Sequence, residues 1–172
     1  MPSAGCETGV VPAHDEVDDI IAQWVRVRPD ADVAPFAVLS RLTRLARRLQ
    51  RVRAAAFADA GLEAWEWDVL AALRRADGAL TPKELIAQTM VTSGTMTNRI
   101  DGLAARGLVE RMAHDSDRRS TRVRLTDDGL DRVDSALDAL LDAEHRLLAG
   151  MGDDDRRRLA RLLRALGEGL DD

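Results

Sequence analysis

Cysteine occurs once, tyrosine is missing, and the aromatic side chains are three tryptophans and two phenylalanines. A lone Cys6 forms no internal disulfide, which excludes a disulfide-stapled scaffold. No run of about eighteen apolar residues exists, and Met1 to Val11 lack a basic region followed by a long apolar stretch, which excludes a membrane span and a signal peptide. The expectation is a cytoplasmic protein without a membrane partner. The composition is equally poor in catalytic constellations. His14, His114 and His145 are scattered, no Cys or His pair has metal-ligand spacing, and Gly150-Met151-Gly152 lacks the third glycine and the preceding strand of a dinucleotide fingerprint. No base accompanies a serine nucleophile. The reading is therefore not an enzyme, with no catalytic residues, no metal and no cofactor.

What is present is a core-forming chain of 172 residues, 45% of them hydrophobic, with a net charge of -5. That length suits one compact domain with extensions. The charge is unevenly spread. Residues 1–80 hold 10 basic and 12 acidic side chains, residues 81–126 hold 8 and 5, and residues 127–172 hold 7 and 13. Only the middle third is basic. Every basic residue but Lys83 is arginine, a side chain suited to phosphate and planar anions.

Helical periodicity dominates, and its punctuation places the elements. Asp15 caps a helix that Pro29 ends, with Val17, Ile20, Ile21, Trp24 and Val25 on one stripe. A second helix starts at Pro35 and stops near Gly61, and a third runs from Trp65 to Ala76. Thr81-Pro82-Lys83-Glu84 is a capping box with proline at the first helical position. Thr92 caps again, and that helix runs to Arg106, burying Met96, Ile100 and Leu103 before Gly107 closes it. Two short helices around Thr89 to Val91 make a helix-turn-helix. Leu108 to Ala113 and Thr121 to Thr126 then alternate apolar and polar residues as a hairpin, with residues 114–120 at its tip. Leucine-rich helices follow over Asp127 to Ala149 and Asp153 to Leu170.

The fold class is thus mainly α with a small β-hairpin wing. Residues 1–14 form a flexible leader, 15–29 an added N-terminal helix, 62–126 the winged helix-turn-helix, and 33–61 with 127–172 a helical dimerisation region. The last assignment follows because a winged module of this size cannot cover so many apolar helix faces, so a second copy is needed. On the helix from Thr92 the face opposite the core shows Gly94, Asn98 and Asp101, flanked by Ser93, Thr95 and Thr97, and these short hydroxyl and amide groups suit phosphates and base edges at a helix N-terminus. Arg118 and Arg119 at the hairpin tip, with Arg122 and Arg124 on its return strand, suit the minor groove and phosphates. Double-stranded DNA is the implied partner.

The run from Asp117 through Arg118, Arg119, Leu125 and Thr126 to Gly129, preceded by Gly107 to Arg111, resembles the wing signature of MarR-family transcriptional regulators. The resemblance covers residues 35–170. It implies a homodimer, a recognition helix in the major groove, a wing in the minor groove, an inverted-repeat operator, and a small-molecule effector or oxidant that alters DNA affinity. Cys6 stands about thirty residues before the first dimer helix, with no base or arginine beside it, which disfavours oxidant sensing.

The extra helix with Trp24 resembles that of the urate-responsive HucR, PecS and MftR subgroup. That resemblance implies a ligand site of Trp24, Asp68, Arg99 and Arg111, with urate, then xanthine, as the effector, and operator release as the response. Independently, Arg99 flanks the buried face of its helix and needs a partner, and Asp68 is placed to pair with it. Two alternatives stand beside this reading. One is a regulator sensing another small aromatic or anionic ligand, with Asp68 and Arg99 a structural salt bridge. The other is a dimeric interaction protein that does not bind DNA.

Overall fold

The computed structural model describes residues 14–113 and 121–169. The expected elements are present in the expected order: α1 (Glu16–Val27), α2 (Phe36–Asp59), α3 (Ala64–Arg75), α4 (Pro82–Thr89), α5 (Ser93–Ala105), β1 (Val109–Ala113), β2 (Thr121–Leu125), α6 (Asp127–Leu148) and α7 (Asp153–Glu168). Cys6, the hairpin tip and Leu170, the expected end of the last helix, lie outside the described residues. The chain divides into two compact units at Gln50 and Arg51, within α2.

The first unit is organised by charge. Asp15 caps α1 by accepting the Val17 and Asp18 N–H groups at 2.8 and 3.2 Å, and the Asp18 carboxylate reciprocates from the Asp15 N–H at 2.9 Å. Arg41 of α2 closes over this cap, donating to Asp15 at 2.8 and 2.9 Å and to Asp18 at 2.7 Å. Trp24 meets Phe36 edge to face, with centroids 6.5 Å apart. Of the expected α1 stripe only Val17 is buried; Trp24 and Val25 remain about half exposed, at 46% and 50%.

The second unit holds the apolar core. Leu70, Leu73, Leu85, Met96, Ile100 and Leu103 are almost fully buried where α3 packs against α4 and α5. Phe57 stacks on Trp67 at 4.7 Å. Each such large side chain contributes about 1.5–3 kcal/mol by leaving water. α6 lies along α3, seating Val133, Ala136 and Leu140 in the core, with Arg74 of α3 gripping Asp134 through two hydrogen bonds of 2.8 and 3.2 Å.

The wing pairs β1 and β2 antiparallel with Val109 opposite Leu125 and Arg111 opposite Val123. A one-residue third strand joins it: Leu80, before α4, exchanges both backbone hydrogen bonds with Val123, at 2.9 and 2.8 Å. The helix-turn-helix is thereby tied to the wing. At the other end Thr126 gathers three segments. Its hydroxyl donates to the Gly107 carbonyl at 2.7 Å and accepts the Gly129 N–H at 3.1 Å, and its own N–H reaches the Leu108 carbonyl at 3.1 Å. The Thr126-to-Gly129 spacing therefore joins the end of α5, the start of β1 and the cap of α6.

Among the described residues no helix is long and apolar enough to cross a membrane, and no group of three or more His, Cys, Asp or Glu is placed to hold a metal.

Candidate nucleic-acid interface

The turn between α4 and α5 is tight because its corner residue leaves the ordinary helical region. Met90 takes φ 53° and ψ 39°, its N–H still bonded to Ile86, with its side chain 93% exposed. The chain then re-enters a helix at Thr92, whose hydroxyl accepts the Thr95 N–H at 3.4 Å and lies 2.9 Å from the Thr95 hydroxyl. Thr97 donates its hydroxyl to the Ser93 carbonyl at 3.2 Å. Ser93, Gly94, Thr95, Thr97 and Asn98 are all exposed, while Met96, Ile100 and Leu103 hold the opposite face in the core. A Cβ at Gly94 would meet nothing within 4 Å. The result is an open, polar first turn with the positive end of a helix dipole behind it, the chemistry that receives phosphates and base edges.

Arg118 and Arg119 lie outside the described residues. The two arginines of the return strand each have a partner within the chain. Arg122 donates through Nη2 to the Ala79 carbonyl, and Arg124 donates to Glu110 across the hairpin. They brace the wing that would carry Arg118 and Arg119.

The expected effector residues fall in different settings. Trp24 belongs to the first unit, beside Phe36. Asp68 is exposed on α3. Arg111, exposed on β1, pairs with Asp101 of α5. Arg99 and Asp68 form no ion pair among the described residues, contrary to the sequence expectation. The reason is that Arg99 lies over the Trp65 ring instead, its guanidinium carbon 5.7 Å from the ring centroid. Its Nη1 is buried without a hydrogen-bond partner among the described residues. An unpaired buried guanidinium nitrogen is costly and is ready to receive an anion.

Sequence reasoning missed Glu66, a carboxylate only 2% exposed. It accepts the Glu63 N–H at 2.9 Å in the cap of α3 and takes the Arg106 guanidinium from the end of α5. The Glu63-to-Glu66 spacing at a helix start was the available signal.

A sequence profile described as MarR family matches residues 60–120. The chain is 34% identical over 150 residues to the HTH-type transcriptional regulator PecS of Dickeya dadantii, a match spanning 86% of this chain and 90% of that protein. Among solved structures it resembles BpsR of Bordetella bronchiseptica, whose DNA binding is regulated by 6-hydroxynicotinic acid. That likeness has a TM-score of 0.58 at 27% identity and covers 74% of this chain and 98% of the other. A mutant of Escherichia coli MarR complexed with operator DNA shares the fold at TM-score 0.66 and 24% identity, covering 83% of this chain and 96% of that one. With the open α5 turn and the braced wing, the near-complete match to PecS shows that this chain belongs to the MarR family of winged helix-turn-helix, DNA-binding transcriptional regulators.

Proposed function

We propose that the protein acts as a homodimeric repressor that binds an inverted-repeat operator and is released by a small planar anion, urate being the first candidate and xanthine the second. DNA is read by Ser93, Thr95, Thr97 and Asn98 in the major groove, with Arg118 and Arg119 reaching the minor groove. The effector is held by Trp24, Asp68, Arg99 and Arg111.

The observation that carries the effector reading is Arg99: a guanidinium on α5 whose buried Nη1 has no hydrogen-bond partner among the described residues. A planar anion satisfies that nitrogen and offers a face to an aromatic ring. The 6-hydroxynicotinic acid that regulates BpsR is a planar heteroaromatic acid of the same kind. Dimerisation is supported by the apolar surface the helices leave open. No described residue of α7 is buried, with Leu159, Leu162 and Leu163 at 39%, 59% and 45% exposure, and Val38 and Leu45 of α2 stand at 59% and 60%. Such stripes are covered in a symmetric dimer.

The effector acts by drawing Arg99 off the Trp65 ring, and α5 moves with it. Affinity for effector and operator are then linked reciprocally, with a coupling of about 1–3 kcal/mol, or roughly 5- to 150-fold. The test is titration of urate into the purified protein on a duplex from its own upstream DNA. Operator affinity falls by a factor in that range; unchanged binding at saturating urate overturns the effector reading.

A further inference from the structure

Arg99, Gly102 and Arg106 are spaced three and four residues apart, so they form one stripe along α5. All three meet the start of α3. The Arg99 guanidinium lies over the Trp65 ring. A Cβ built on Gly102 would be 3.5 Å from Cη2 of the same ring, so the helix backbone passes close to the indole edge. Arg106 reaches the next residue, Glu66. The indole is itself oriented, because its Nε1–H donates to Glu63 at 2.8 Å.

The two ends of this stripe are held differently. Arg106 is well satisfied, with Nη1 on the buried Glu66 carboxylate and Nη2 donating to the Gly61 carbonyl at 2.8 Å. Charge-assisted bonds of this kind are strong and directional. Arg99 meets α3 through the ring face, and its buried Nη1 has no hydrogen-bond partner among the described residues. A cation over a ring is weaker and tolerates sliding.

We propose that Trp65 is a positioning residue for the recognition helix: the Glu66–Arg106 pair fixes the end of α5 as a pivot, and Trp65, through Arg99 and Gly102, sets the angle at which its first turn meets DNA. This rests on α5 being the helix that reads the operator. A small rotation about Arg106 moves the far N-terminal turn most, so the contact with the least directional hold lies where motion has effect.

The test uses the full-length protein and fluorescence anisotropy on the same upstream duplex, without effector. Trp65→Leu keeps apolar bulk and removes the π face; operator affinity falls about five- to tenfold with little change in melting temperature. Trp65→Phe restores a ring and returns affinity to near wild type. Should Trp65→Leu fold poorly, the Gly102 pair decides: Gly102→Ala fits at ordinary contact distance and is silent, whereas Gly102→Leu wedges the ring from the helix and weakens binding. In a Trp24→Phe, Trp67→Phe background Trp65 is the sole indole, and Arg99→Met then shifts its emission. Wild-type affinity in Trp65→Leu and Gly102→Leu, no rescue by phenylalanine, or an unmoved emission each overturns the proposal. Asn98→Ala separates the levels: a loss there without a loss in the Trp65 and Gly102 variants overturns the positioning role of Trp65 alone, and no loss with Asn98→Ala overturns α5 as the DNA-reading helix and the positioning role with it.

Discussion

The Leu108 carbonyl oxygen occupies the place where a side chain at residue 129 would begin, since a Cβ on Gly129 would stand 2.0 Å from it. That oxygen also accepts the Thr126 N–H. Glycine is needed here for space and not for an unusual backbone angle. Gly129→Ala forces the start of α6 away from the wing and costs about 3 kcal/mol or more, at the upper end of overpacking effects. Urea unfolding checks this: the midpoint falls at unchanged slope.

The clamp of Arg41 over the α1 cap has a pH signature. The Arg41 guanidinium, and after it the Val17 and Asp18 N–H groups, hold the Asp15 carboxyl down at about 2 against an ordinary 3.8. A carboxyl lowered in the folded state contributes stability that is complete above the unfolded value and is lost as pH falls through 3.8 toward 2. In Arg41→Gln the Asp15 carboxyl titrates higher than in the wild type but still below its ordinary value, because the Val17 and Asp18 N–H groups remain bonded to it, and α1 loses its cap at a higher pH than in the wild type. A carboxyl-detected NMR titration reads the shift; an unmoved Asp15 would mean the backbone donors alone set it.

Arg118 and Arg119 are assigned to DNA by sequence, and the double alanine variant tests them. Removing two phosphate or minor-groove contacts weakens binding to all duplexes alike and lowers the salt slope by about 2. Full affinity with an unchanged slope would remove the wing tip from the interface.

Trp24 stands 46% exposed beside Phe36, so its emission is open to quenching by a stacked ligand. The proposed effector site predicts that urate quenches the wild-type protein and that Trp24→Phe loses most of that quench. A variant that keeps it in full places the effector elsewhere.

Core truncation separates folding from recognition. Leu103 is fully buried on the inner face of α5. Leu103→Ala destabilises by about 2–5 kcal/mol through lost burial and the cavity left behind. Asn98→Ala on the outer face leaves the melting temperature within a degree or two, because exposed substitutions change stability by less than about 0.5 kcal/mol.

The elements themselves were legible in the residue order because each is specified within a few positions. The boxes Asp15 to Asp18 and Thr81 to Glu84, the Thr92 and Thr126 caps and the left-handed Gly107 all sit where local hydrogen bonding requires them. The alternation on either side of residues 114–120 foretold the bounds of both strands to within a residue. The recognition-helix face was legible for the same reason, since 3.6-residue periodicity alone separates Met96, Ile100 and Leu103 from Ser93, Thr95 and Asn98.

Partner choice between elements was not legible. Asp68 and Trp65 both stand on α3, and sequence spacing favoured the acid as the partner of Arg99. The tertiary structure turned the carboxylate to solvent and put the indole under the guanidinium. Likewise Leu80 pairs with Val123, and Glu66 with Arg106, across separations of 43 and 40 residues that no local pattern spans. Local backbone chemistry and periodicity determined what each segment is; the angle and depth at which the helices pack, set by the shared apolar core, decided which charges meet and which stay unpaired.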